Sequence, residues 1–210
     1  MPTITTKDTG GRSLLMTPMS FTAPEQQMVP DAMAQFLAGT GLNAPFLADL
    51  LSSFLAHEQG GYHLYLVAAG ATQDGRLRDR YQEFGRETEN HIRILEELIL
   101  RLGGDPGFVS PAARLVEATG SKLLEVPGLL EGTADQATVE LALLEAVVLA
   151  ETKDHADWKL LQSLTDDMPE GDVREAFRAA VDQVEQEEDG HLSWAITAWE
   201  QMVTSQLKSA

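Results

Sequence analysis

Residues 181–198 read VDQVEQEEDGHLSWAITA. Val181, Val184, Glu187/Glu188, His191, Trp194 and Ala198 recur at three- and four-residue steps, so they share one face of a helix. Residues three apart on a helix differ by about 60° in azimuth and residues four apart by about 40°. Either Glu188 or Glu187 can therefore reach the same metal ion as His191. The preceding segment carries Glu151 on the stripe Glu140, Leu144, Val147, Glu151, His155 and Trp158. The first half of the chain echoes this order. Glu58 lies on the stripe Leu47, Leu51, Phe54, Glu58, Tyr62 and Tyr65, and Glu87 and His91 follow among Leu77, Tyr81, Phe84, Leu95 and Leu98. A four-helix bundle holding two metals needs one Glu from each of two helices and a Glu-x-x-His pair from each of the others. One position departs from that pattern: Thr88 stands three residues before His91.

A carboxylate buried on an apolar stripe costs several kcal/mol unless it is paired or metal-bound. Two cations would supply that compensation here. Oxygen donors combined with imidazole suit iron or manganese, whereas calcium or magnesium would not need histidine. A single Glu–His pair at such a spacing is ordinary on a helix surface; two pairs, each preceded by a helix with Glu on its apolar stripe, are not. Tyr62, Tyr65, Trp158 and Trp194 read as core packing rather than redox relays. His57, His63 and Lys153 read as exposed, and within Glu185–Asp189 only one or two members can turn inward.

The rest of the chain fits around these stripes. Residues 1–22 show no sustained period and read as a peripheral arm, and a short helix is expected after Pro30, through Met33 and Phe36 to Leu37. The first long helix starts near Pro45, and a turn at Gln73-Asp74-Gly75 leads to a second over about 76–102. Gly60-Gly61 inside the first costs about 1–2 kcal/mol of helix propensity. It marks close packing or a π-bulge beside the site, or simple tolerance of a weak helix former. Residues 107–133, with Pro111, a weak helical stretch at 112–124 and Pro127-Gly128, read as a long crossover that lets the third helix run parallel to the second. Asp135 caps the third helix, which runs to about Leu164, and the fourth begins near Asp172. The two halves align as a weak repeat: Glu-x-x-x-Tyr/His-x-x-Tyr/Trp on the first and third helices, Glu-x-x-x-His on the second and fourth. The expected organisation is all-α, with residues 1–43 as an N-terminal arm and 44–208 as a four-helix bundle.

Composition narrows the function. The chain has 210 residues, 43% of them hydrophobic, enough for one sizeable core. With no cysteine, disulfides, thiolate catalysis and cysteine-ligated metals are excluded. Fifteen basic against 33 acidic residues give a net charge of −18, which repels phosphate backbones and argues against nucleic-acid binding. No 18-residue apolar run or signal-peptide pattern is evident, so no membrane partner and a cytoplasmic location are expected. Ser110, Ser163 and Ser193 lack a glycine-elbow context, and no dinucleotide fingerprint occurs.

At these residues the chain resembles the ferritin-like superfamily, which includes ferritins, rubrerythrins, manganese catalases and carboxylate di-iron oxidases. The resemblance spans about residues 45–205 and rests on helix order, crossover and motif. It implies a ferritin-like four-helix bundle with one long crossover between the second and third helices. Glu58 and Glu151 would be terminal carboxylates, His91 and His191 terminal imidazoles, and Glu188 a bridging carboxylate. Asp154 is similar in position to an extra carboxylate of rubrerythrins. Thr88 occupies the place of the other bridging Glu. Glu87 is expected to replace it from the adjacent azimuth, because Glu87 and Glu187 hold matching positions; one metal, or a degenerate site, are the other outcomes. The expected ligand set is Glu58, Glu87, His91, Glu151, Glu188 and His191, holding two iron or manganese ions, or one. The implied function is redox chemistry with dioxygen or peroxide. Iron sequestration or buffering without turnover, in a homo-oligomer, is a second reading, and a metal-free ferritin-like helical scaffold is a third.

Overall fold

In the computed structural model, which describes residues 4–7, 13–16 and 31–208, every element from residue 31 onward is helical. Ahead of the helices, strands β1 (Ile4–Lys7) and β2 (Ser13–Met16) pair antiparallel, Ile4 opposite Met16 and Lys7 opposite Ser13. The rest of the 1–22 arm lies outside the described residues. Helix α1 (Asp31–Phe36) is followed by Gly39 and Gly41, both at positive φ, where a left-handed turn favours glycine.

Four long helices follow: α2 (Ala44–Ala71), α3 (Gly75–Arg101), α6 (Gln136–Asp167) and α7 (Asp172–Lys208). Three start at a side-chain cap: Asn43, Asp74 and Asp135 accept from the backbone N–H groups of Phe46, Arg76 and Thr138. Helix α6 outruns its expected end near Leu164 by three residues, stopping only before Met168-Pro169. The crossover carries α4 (Pro111–Leu124), capped by Ser110, and a single-turn helix α5 (Val126–Leu130). Pro127 sits in the first turn of α5, where its missing N–H costs no hydrogen bond.

Cross-helix contacts fix the directions. Tyr65 meets Glu151 and Trp158 meets Glu58, so α2 and α6 are antiparallel; Glu187 meets His91 and Glu87 meets His191, so α3 and α7 are antiparallel too. The short α2–α3 and α6–α7 turns make antiparallel hairpins, which leaves α3 and α6 running the same way. Residues 102–135 carry the chain back along the bundle, with α4 packed on α2.

Helix α2 stays α-helical through Gly60-Gly61, with no π-bulge. A Cβ at Gly60 would meet nothing within 4 Å, and one at Gly61 would make an ordinary 3.8 Å contact with the Thr88 methyl. These glycines therefore do not mark tight packing. That occurs at Gly85 on α3, where a Cβ would come within 3.3 Å of Tyr65 Cβ.

The apolar core forms two clusters. One gathers α1, the start of α2, the end of α3 and the α6–α7 turn around Leu51, Leu95, Leu161 and Phe177. The other gathers the opposite end around Leu64, Tyr81, Leu144 and Ala195. Glu58, Thr88, His91, Glu151, Asp154, Glu188 and His191, all buried, lie in the sequence intervals between them.

Candidate metal centre

All four long helices contribute to this polar layer. Glu58 comes from α2, His91 from α3, Glu151 from α6, and Glu188 and His191 from α7. None is more than 2% exposed. Two groups form, each with ligand atoms within 4.8 Å of one another: Glu58, His91 and Glu188, and Glu151, Glu188 and His191. Glu188 belongs to both. Its Oε1 lies 2.9 Å from Nδ1 of His91 and 3.5 Å from Nδ1 of His191. Glu58 Oε1 is 3.8 Å from Nδ1 of His91, and Glu151 Oε2 is 3.5 Å from Nδ1 of His191. These approaches lack the alignment of hydrogen bonds. Both Nδ1 atoms, both Glu188 oxygens, Glu58 Oε2 and Glu151 Oε2 are buried with no hydrogen-bond partner. Buried polar atoms are almost always satisfied, so six orphans converging on one place call for a ligand.

The outward sides of the same groups are satisfied reciprocally. His91 Nε2 lies 2.8 Å from Glu187 Oε2, and His191 Nε2 lies 2.7 Å from Glu87 Oε2. A carboxylate accepts, so each Nε2 is a donor and each neutral ring keeps its Nδ1 lone pair directed inward. The terminal carboxylates are held across helices as well. Trp158 of α6 donates to Glu58 of α2 at 2.7 Å, and Tyr65 of α2 donates to Glu151 of α6 at 2.8 Å. Each donor stands seven residues after the Glu of its own helix and serves the Glu of the other.

Electrostatics follow from burial and this crowding. Burial pushes Glu58 up to about 8, helped by the Glu188 and Glu151 charges and opposed by His91. Burial likewise raises Glu151, and lifts Asp154 well above the carboxylate range with the charges of Glu188, Glu58 and Glu151 adding to it. For Glu188 burial acts in the same direction, but His191 and His91 overcome it and bring the group down to about 2. Burial acts to lower both imidazoles. Against it, Glu188 and Glu58 raise His91, and Glu151 and Glu188 bring His191 up to about 11. Without a metal, the layer thus sets one lowered carboxyl, Glu188, between two raised imidazoles, flanked by raised carboxyls.

Of the six expected ligands, Glu58, His91, Glu151, Glu188 and His191 come together. Glu87 does not join them. It lies on the outer face of His191 with its side chain 32% exposed, matched by Glu187, 39% exposed, on His91. The repeat does align Glu87 with Glu187, as expected, and the structure places both on the outer nitrogens of the imidazoles. Thr88 is buried at the position matching Glu188, leaving Glu188 as the one shared carboxylate. Tyr65 and Trp158, read as packing, also hold the carboxylates; their seven-residue spacing from Glu58 and Glu151 was the available signal. His57, expected to be exposed, is half-buried and bonded at 2.9 Å to the Ala150 carbonyl, whereas His63 and Lys153 are exposed. Glu140, on the same stripe as Glu151, has a structural role: it accepts from Gln73 N and Gln136 Nε2 and ties α6 to the α2–α3 turn.

Comparison of the chain with family models, curated proteins and solved structures returned no match. Among the described residues, no helix is long and apolar enough to cross a membrane.

Proposed function

We propose that this chain is a ferritin-like metal protein whose four-helix bundle holds two iron or manganese ions and performs redox chemistry with dioxygen or peroxide. The observation that carries this reading is the convergence of six unpartnered, buried donor atoms from five residues of four helices. Carboxylate oxygen with imidazole nitrogen is the donor set such ions prefer. One ion fits Glu58, His91 and Glu188, the other Glu151, His191 and Glu188. Iron or manganese, when bound, supplies the electron transfer that these side chains cannot. The residues do the rest. Glu188 holds the pair together, Trp158 and Tyr65 fix the terminal carboxylates, and Glu187 and Glu87 fix the imidazole orientation. The two apolar clusters keep bulk water from the layer. Thr88 offers no carboxylate, so the second bridge of a symmetric centre is missing on the α3 side.

Anaerobic reconstitution with Fe(II) or Mn(II), followed by desalting and elemental analysis, tests the reading. Two ions per chain, with consumption of dioxygen or peroxide by the loaded protein, are expected. No retained metal would overturn it and favour the scaffold. Retention far above two per chain in a large oligomer would favour sequestration.

A further inference from the structure

A cavity of about 210 Å³ opens between α2, α4 and α6, with His57, Gly60, Gly61, Gly120, Leu124 and Ala150 in its walls. Gly60 and Gly120 make the room. A Cβ at Gly60 or Gly120 would meet nothing within 4 Å, so these positions face space and not a neighbouring side chain. Glycine in a helix interior is disfavoured by about 1 kcal/mol relative to alanine, a standing cost with no packing return here. A buried apolar cavity of about 150 Å³ suffices for benzene, so this one suits a single ring with a small substituent or two. Glycines on both walls leave flat backbone on which a ring can lie, and Leu123 and Leu124 supply an apolar edge.

Gln59, His63, Glu117 and Ser121 also line the cavity, and His57 is a polar group whose direction is fixed by a hydrogen bond. His57 Nε2 is 2.9 Å from the Ala150 carbonyl, which can only accept, so Nε2 carries the proton. In the neutral ring Nδ1 is then an acceptor, and it makes no hydrogen bond among the described residues. The location is also specific. His57 and Ala150 adjoin Glu58 and Glu151 in sequence, and Gly61 backs onto Thr88, where the second bridging carboxylate is missing.

We propose that this cavity binds a small phenol or aromatic alcohol, its ring between α2 and α4 and its hydroxyl donating to His57 Nδ1. Binding stands independently of the metal reading; service as a substrate pocket for the adjacent centre rests on it.

The test is an amide NMR titration of the full-length, metal-free chain with p-cresol and, in parallel, toluene. Saturable shifts at Gly60, Gly61 and Gly120 are expected with p-cresol. Toluene, lacking the donor, should bind about fivefold to tenfold more weakly. Gly60→Leu and Gly120→Leu fill the space from opposite walls and should each weaken p-cresol by about tenfold or more. Neither should lower Tm, since leucine is the better helix former. The proposal is overturned if p-cresol shows no saturable binding, if both leucine variants bind it like the parent, or if toluene binds as tightly. Binding of p-cresol to a chain that retains no metal would sink the metal reading alone. A chain that loads metal and ignores p-cresol would sink this one alone.

Discussion

The two halves of the candidate centre share a plan and differ in one side chain. Each has a buried Glu held by an aromatic donor from the facing helix, and a His whose outer nitrogen meets a half-exposed Glu. On α7 the residue three before the His is Glu188; on α3 it is Thr88. The reciprocal outer contacts survive the difference, and only the bridge is halved. Support for the imidazoles and the count of shared ligands are therefore separable, and the asymmetry falls on the residue both halves depend on.

The strongest way to break the comparison is to remove what the halves share. Glu188→Ala should abolish retention of both ions, read by elemental analysis; a variant keeping one ion would show that the halves do not share it. The next effect is proton-linked. Glu58, Glu151, Asp154 and both imidazoles are raised in the folded state, with Glu58 near 8 and His191 near 11. The metal-free native chain then binds more protons than the unfolded chain, so its stability should fall as pH rises from about 5 to about 8. Glu188, lowered to about 2, has the opposite sign but contributes fully above its ordinary value near 4.5 and is constant in that window. Metal must displace the imidazole and carboxyl protons, so affinity should rise over the same range. The gap in Tm between loaded and metal-free protein should widen with pH; a constant gap would contradict the assigned protonation.

Single-half variants sharpen the picture. His91→Ala and His191→Ala should each reduce the content from two ions to one, and a larger loss in either would rank the halves. Thr88→Glu restores the symmetric pattern. Without metal it buries another carboxyl and should cost about 3 kcal/mol in urea unfolding, with metal reversing the penalty. If metal fails to rescue it, Thr88 is not equivalent to Glu188 in space. Glu87→Gln and Glu187→Gln should weaken metal binding by about 10- to 100-fold, each at the His of the other hairpin. Equal loss at both ions would argue against that crossed support.

The sequence made the helices and most of the buried Glu and His positions readable, because caps at Asn43, Asp74 and Asp135 bound strong stripes and a buried Glu on a stripe is costly. Glu87 was expected in the inner group and lies on the outer face of His191, for a geometric reason. Positions 87 and 88 flank the stripe on opposite sides by similar angles, and spacing alone does not say which imidazole nitrogen faces inward. Tyr65 and Trp158 were hidden by their dual nature, since an apolar body satisfies the stripe and conceals the polar tip. The cavity was unreadable because space leaves no residue to mark it; Gly60-Gly61 hinted only that something at that level of α2 was unusual.

The division of the core into two apolar clusters has a consequence for how the molecule comes apart. Cooperative melting requires each part of a domain to sense the loss of the others, and packed hydrocarbon transmits that loss efficiently. A waist of buried acids and imidazoles transmits it poorly, whereas ions ligated from four helices would splice the ends into one body. Calorimetry should then show a single sharp transition with metal bound and a broadened or double one without it. The centre would be the seam of the fold as well as its chemistry.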